Sequence, residues 1–309
     1  MVALAPYVLA LCTAASAAGL DISPTGGAYD FSRDGRPALR YWAAPEALKP
    51  FVDPLLTPAG HSVTTTRSGQ PQHHGLWVTW GKVLLATGQS VDFWSESGDP
   101  AATGQIAPRP GTRPRVEVRM EGAWLVTENE WRRRSDGLVL LRERRAIGLL
   151  DCGSPRANLL TIVSEQTAER DLTILHEANE AVAYYGIALQ MPPDMNSGLV
   201  VNSHGAQGRA GVEGIPAPWC AYSTTVVPAR GVALFDHPTN PRHPNQWFTL
   251  DSGFLSTSLV AREDYALKAG ETLRLCWGVL AFDGDVDPGL VAQQYEAWAR
   301  LPLPDALAG

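Results

Sequence analysis

Apolar and polar side chains alternate with a period of two through much of the chain, which is the pattern of strands with one face turned to a core. Tyr29-Asp30-Phe31 and Leu39-Arg40-Tyr41 alternate on either side of Arg33-Asp34-Gly35-Arg36-Pro37, and Asp-Gly is a preferred pair for a tight hairpin turn. A longer hairpin follows, in which residues 123–133 alternate, Ser135-Asp136-Gly137 turns, and residues 138–149 alternate back. That pairing places Arg142 and Arg144 on one strand face, opposite a partner strand carrying Glu128 and Glu130, and predicts a solvated, ion-paired sheet face. Further strand-like runs cover residues 75–80, 116–120, 158–164, 181–190, 199–202, 221–227, 231–234, 246–250, 254–261 and 272–282. One segment has the helical period: Asp287 is placed to cap it, Pro288 suits the first helical position, and Leu290, Val291, Tyr295 and Trp298 make one apolar stripe. Many strands and a single late helix predict an all-β fold, a large antiparallel β-sandwich with one C-terminal helix packed on a sheet.

With 309 residues, 45% of them hydrophobic, the chain can bury a substantial core. No Ser/Gly-rich linker, charge block or repeat divides it, so residues 19–302 are expected to form a single sandwich domain with a short tail at 303–309. The formal charge of −7 offers no basic face to a nucleic acid, and no polybasic segment offers one to a membrane surface. Residues 1–18 carry no charge and end in Ala15-Ser16-Ala17-Ala18, the small-residue pattern of a signal peptide, so the expected location is secreted or periplasmic. No Lys or Arg precedes the apolar run, which leaves an uncleaved anchor as the alternative; no other stretch is long enough to span a bilayer. Beyond that segment remain Cys152, Cys220 and Cys276, which allow at most one disulfide, include no CxxC pair, and read as small buried apolar residues.

Against this background the histidines are concentrated. Six of the seven fall in four polar clusters: Gln72-His73-His74-Gly75-Leu76-Trp77, backed by Val91-Asp92-Phe93-Trp94; His176-Glu177-Ala178-Asn179-Glu180; Asn202-Ser203-His204-Gly205; and the loop from Phe235 to Phe248, which holds Asp236, His237, Asn240, Arg242 and His243 among three prolines. Histidine moves protons near neutral pH or lends a nitrogen to a metal, and proline fixes the backbone that carries it. A lone loop histidine is also an ordinary hydrogen-bonding strut, and Asp236 and Asn240 suit turns. Adjacent His73 and His74 on a strand point to opposite faces unless a bulge intervenes. Trp77, Trp94 and Trp247 suit either a core or the apolar face of a sugar ring. The chain has no GxSxG, HExxH, P-loop or dinucleotide fingerprint.

The segments Gln72–Trp77, Val91–Trp94 and Gly231–Pro244 resemble the hallmark segments of the bacterial DUF6807 family, and the resemblance covers most of the chain after residue 18. It implies a galactose mutarotase-like supersandwich, a fold found mostly in carbohydrate-active proteins; fold alone does not assign an activity. Members are often labelled as a methane oxygenase subunit, an integral membrane protein with several spans, and no internal apolar run here could span a bilayer. The family commonly reads Asp-His-x-His-His-Arg-Gly before the first tryptophan, whereas this chain reads Ser68-Gly69-Gln70-Pro71-Gln72-His73-His74-Gly75, without the acid and the Arg. The family's Lys-Glu-Gly and following Arg are represented only by Asn179-Glu180-Ala181.

Two functions are expected from these features. One is an exported carbohydrate-active enzyme acting on a glycoside or sugar derivative, a hydrolase, lyase or isomerase. In it His237 and His74 act as acid and base, Glu180 or Asp236 as the carboxylate partner, and Arg242, Trp77, Asn240, Trp247 and His73 hold the small-molecule or oligosaccharide substrate. A variant binds a divalent metal through His74, His237 and His243. The other is a carbohydrate-binding or scaffold protein without chemistry.

Overall fold

The computed structural model describes residues 19–43, 48–67, 70, 72–119, 121–177 and 184–301. Residues 1–18, the tail at 303–309 and Glu180 lie outside these. Two large antiparallel sheets dominate. The first has eight strands in the order Leu20–Thr25, Ala28–Arg33, Arg36–Trp42, Phe51–Leu55, Leu76–Thr79, Gly186–Gln190, Phe254–Ser258 and Gln246–Leu250. The second has nine: Leu199–Asn202, Trp219–Ser223, Arg230–Asp236, Thr272–Asp283, Ala157–Ala168, Val139–Leu150, Gly122–Arg133 and Gly104–Pro108 in order, with Arg115–Arg119 also paired to Gly122–Arg133. A four-stranded sheet of Tyr265–Leu267, Leu172–Ile174, Lys82–Leu85 and Ser90–Asp92 stands beside them.

Period-two patterning explains how the layers stack. In the strand Arg230–Asp236, Val232 and Leu234 enter the main core with Val78, Ile187 and Leu255 of the first sheet, while Ala233 and Phe235 enter a second core with Val291 and Trp298 of the helix Pro288–Ala299. The nine-stranded sheet is thus covered on one face by the other sheet and on part of its second face by the helix. Gly278 makes the helix contact close: a Cβ there would stand 2.9 Å from a Trp298 ring carbon. Trp298 also donates its indole hydrogen bond to Thr161 at 2.8 Å. Asp287 caps the helix by accepting from the amides of Gly289 and Leu290. The buried stripe is Val291, Gln294 and Trp298, with Leu290 and Tyr295 only half-buried, because the sheet meets the helix a fraction of a turn from the most apolar line.

The two predicted hairpins form. Asp34 and Gly35 take left-handed backbone angles at the first turn, and in the second Glu128 pairs with Arg144 and Glu130 with Arg142. The exposed side of that ladder is ion-paired through other partners: Arg142 with Glu169 at 2.8 Å, Arg109 with Glu128 at 3.0 Å and Arg274 with Glu165 at 3.1 Å. Between the main sheets, Glu143 and Arg145 form a buried ion pair at 2.8 Å, and Glu143 also accepts from Ser164, Trp131 and Asn129. All three described cysteines are free, and Cys220 and Cys276 are buried.

Candidate functional site

Register carries one row of residues across the eight-stranded sheet. Trp42 pairs with Phe51, Phe51 with Trp77, Trp77 with Ala188, Ala188 with Ser256, and Ser256 with Phe248. Directly opposed residues share a face, so these six lie on one side of the sheet and Leu76, Val78, Ile187, Leu189 and Leu255 on the other, and Trp77, Ala188 and Phe248 are buried in the same apolar cluster as those five. The first side is aromatic and carries Gln190, the partner of Phe254, as its polar neighbour. Here the histidine pair converges.

His73 and His74 both reach this face because the strand is interrupted between them and Trp77. Gly75 has φ +63°, and a Cβ on it would stand 2.3 Å from the Val52 carbonyl oxygen, so only glycine fits the turn. The strict alternation expected of adjacent strand residues is broken there. His73 lies among Trp77, Phe254 and Trp94, with ring centroids at 5.4, 5.5 and 5.8 Å. His74 stacks on Phe51 at 4.7 Å. Trp94 and Glu96 are brought over the pair by a turn in which Asp92 Oδ1 accepts from the amides of Trp94 and Ser95, at 2.8 and 3.2 Å. Tyr184 completes the aromatic cluster, 5.1 Å from both Trp94 and Phe248.

The polar partners set the proton positions. Gln190 donates Nε2 to the carbonyls of Ser252 at 2.8 Å and Gly253 at 3.1 Å, which turns its Oε1 toward His73 Nδ1 at 3.1 Å. An amide oxygen only accepts, so His73 carries its proton on Nδ1 and holds a lone pair at Nε2. Burial pushes the His73 imidazolium below its usual pKa; the Gln190 bond opposes this, and the charges of Lys49, Arg67 and His74 add to it. His73 is therefore a neutral base at neutral pH. His74 Nε2 meets Glu96 Oε1 at 2.7 Å, and fully buried Lys49 meets the same oxygen at 3.1 Å while donating to the Trp94 carbonyl at 2.7 Å. Burial works to raise the Glu96 carboxyl, but the His74 hydrogen bond and the Lys49 charge outweigh it and hold the group below the usual range. Burial pushes Lys49 down, opposed by Glu96.

The face also keeps unused hydrogen-bonding capacity. His74 Nδ1, Trp77 Nε1, Ser256 Oγ and Gln246 Oε1 are buried and have no hydrogen-bond partner among the described residues. Buried polar atoms are nearly always paired, so four such atoms on one sheet face and its edge mark hydrogen-bonding capacity that the described residues do not use there.

The Pro-rich loop behaves differently. Asp236, fully buried, accepts from Asn240 Nδ2 at 2.7 Å, from the Asn245 backbone amide at 2.8 Å, from Asn245 Nδ2 at 3.2 Å, and meets His243 Nδ1 at 2.9 Å. Asn240 gives its remaining capacity to the backbone of Cys276, donating to the carbonyl and accepting from the amide, both at 2.7 Å. His237 is 4% exposed, accepts from Thr239 through Nδ1, and packs edge-on against Trp298 at 5.0 Å, beneath the helix. Burial pushes its pKa down to about 4. Arg242 donates to the carbonyls of Leu259, Glu263 and Asp264 and clamps the adjoining loop. Trp247 is fully buried and donates to the Ala217 carbonyl at 2.8 Å.

The residues expected to act together are therefore divided. His73, His74 and Trp77 meet on the outer aromatic face, with Trp77 as its floor, 1% exposed. His237, Asp236, Asn240, Arg242 and His243 meet elsewhere, in a hub where Asp236, Asn240 and Arg242 bond to the protein itself while buried His237 Nε2 has no hydrogen-bond partner among the described residues, and Trp247 belongs to the core. The structure does not bring His74, His237 and His243 into one metal site: among the described residues no three His, Cys, Asp or Glu side chains are grouped to hold an ion. Sequence reasoning did not single out Lys49, Gln190, Tyr184, Arg67 or Glu96. Only Glu96, two positions beyond Trp94, had a local signal.

Several solved structures align with this chain. The GH36 α-galactosidase AgaB from Geobacillus stearothermophilus aligns with TM-score 0.46 and 10% identity over 86% of this chain and 41% of that one. The α-galactosidase from Lactobacillus brevis gives 0.42 and 9% over 89% and 40%, and the heparan sulfate lyase HepC from Pedobacter heparinus gives 0.37 and 11% over 89% and 37%. This chain spans about two fifths of the length of each. No curated protein matches the chain. No helix among the described residues is long and apolar enough to cross a membrane. The model of the family described as a family of unknown function (DUF6807) matches residues 28–296, which include both the histidine pair and the Pro-rich loop, and the chain belongs to that family.

Proposed function

We propose that this protein is a carbohydrate-active enzyme that acts on a glycoside or sugar derivative at the outer aromatic face of its eight-stranded sheet. The observation that carries the reading is His73. It is half-buried among aromatic rings, held neutral, fixed in one tautomer by Gln190, and left with a lone pair at Nε2. Half-buried Tyr184 and His73 offer ring surface above the buried Trp94 and Phe254, and such rings suit the apolar C–H face of a sugar. In this reading His73 Nε2 takes a proton from a substrate hydroxyl or acidic C–H, and the same nitrogen returns it to the oxygen or carbon that gains charge. His74, bonded to Glu96, and Gln190 are positioning groups. Export through residues 1–18 belongs to the same proposal and rests on the sequence alone.

Turnover of a panel of glycosides and free sugars, followed by proton NMR, tests this. His73→Gln is expected to lose at least about a hundred-fold in kcat/KM, the range of general-base contributions, with its unfolding midpoint near that of the wild type. Because neutral His73 is the active form and its pKa is depressed, activity should rise with pH along an acid limb centred below the ordinary histidine value of about 6.5. Retained turnover in His73→Gln removes the residue from the mechanism. One observation favours a second reading, carbohydrate binding without chemistry: Glu96, the carboxylate beside the histidines, is already tied to His74 and Lys49. That reading predicts saturable binding and no new anomeric or cleaved species.

A further inference from the structure

We infer that the ligand of this face is anionic, a sugar bearing a carboxylate such as a uronic acid, and that Arg67 is the residue that reads the charge. This inference rests on the carbohydrate reading above. Arg67 donates its amide to the His73 carbonyl at 3.0 Å, Thr66 bridges to His74, and Gly75 donates to Thr65 at 3.1 Å, so the segments 65–67 and 73–75 run side by side as a small ladder. Thr65 in turn donates to the Gln190 carbonyl at 2.9 Å, which ties the ladder to the strand that orients His73. Arg67 is thereby fixed beside the catalytic base.

Arg67 is half-buried and has no carboxylate partner among the described residues. Elsewhere the arginines of this chain are widely neutralised: Arg40 by Asp30, Arg133 by Asp136, Arg145 by Glu143, Arg209 by Glu213 and Arg230 by Asp194. The charges of Arg67 and Lys49 both act on His73 and oppose its protonation. Glu96 answers only Lys49 and His74. A chain of net charge −7 therefore carries an uncompensated cation at its aromatic face. A planar guanidinium matches a carboxylate in two parallel hydrogen bonds, and aromatic rings beside it suit the sugar ring that bears the acid.

Two matched pairs of probes test the inference on the full chain by isothermal titration: a galacturonic acid trisaccharide against the galactose trisaccharide of the same linkage, and glucuronic against glucose oligomers likewise. The uronates are expected to bind at least roughly ten-fold more tightly, as one charge-assisted pair allows, with affinity falling as salt is raised. Arg67→Gln should remove the preference, and Arg67→Lys should restore part of it. Circular dichroism and the unfolding midpoint of each variant exclude misfolding as the cause. Equal binding of acid and neutral sugars, or a preference that survives Arg67→Gln, overturns the inference and leaves the carbohydrate reading standing. Binding of neither class overturns both.

Discussion

Two regions of this molecule concentrate histidine, carboxylate and amide side chains, and they use them in opposite ways. In the Pro-rich loop, Asp236 collects hydrogen bonds from Asn240, Asn245 and His243, Asn240 ties the loop to Cys276, and Arg242 is shared among three carbonyls. Apart from buried His237 Nε2, which has no partner among the described residues, its hydrogen bonds close on the protein itself. On the outer face of the eight-stranded sheet, His73 keeps a free lone pair, Arg67 has no acidic partner among the described residues, and four buried polar atoms lack hydrogen bonds. Rigidity is common to both regions, so rigidity does not mark a site. Unused hydrogen-bonding capacity beside an unpaired charge is what separates the outer face from the loop.

The largest effect expected from this contrast is on stability. Asp236→Ala strands the buried donors of Asn240 and Asn245 together with half-buried His243 and should cost about 3 kcal/mol in denaturant unfolding, while ligand binding per folded molecule stays near that of the wild type. Lost binding in protein shown to be folded would tie the hub to the site and break the contrast.

A pH dependence of similar size follows from His237. Its folded pKa is depressed to about 4 from an unfolded value near 6.5, so above pH 6.5 it is neutral in both states and costs nothing. As pH falls from 6.5 to 4 the unfolded chain takes up the proton first, and stability drops by about 1.4 kcal/mol per unit, or about 3 kcal/mol in all. Half-buried His73 is shifted in the same direction and adds a smaller loss in a window that also opens at 6.5. Unfolding curves from pH 7 to 4 for wild type and His237→Gln isolate the first contribution: the variant should show the shallower slope, and equal slopes would mean that His237 is not held neutral.

The smallest effect belongs to the ion-paired face of the nine-stranded sheet. Arg142, 40% exposed in its side chain, pairs with a Glu169 that is 32% exposed, and Arg142→Ala should change stability by less than about 1 kcal/mol. A larger loss would show that this ladder is a structural region of its own.

What the sequence disclosed follows the range of the interactions. The Asp34-Gly35 turn, the register of Glu128 against Arg144, and the Asp287 cap rest on contacts within a hairpin or a helical turn, and they were legible. Phe51–Leu55 contains Pro54, and Ser90–Asp92 and Leu172–Ile174 have three residues each, too few to show a period. On the helix, Gln294 takes the buried place that Leu290 and Tyr295 were expected to share, since the sheet decides which line is covered. The histidine pair was visible as a dipeptide. Its partners were not, because Glu96 lies 22 residues from His74 and Gln190 lies 117 from His73, and the turn after Asp92 and the sheet register bring them together. The Pro-rich loop drew attention because turn stiffening looks the same in a sequence whether it serves a hub or a substrate.

Long-range nitrogen NMR of the imidazole rings, recorded while the galacturonic acid trisaccharide is titrated into the protein, addresses the division between the two regions most directly. The site assignment predicts that the His73 and His74 ring signals move with saturation while those of His237 and His243 stay in place. Movement of His237 and His243 with His73 and His74 unchanged would contradict it and return the site to the loop.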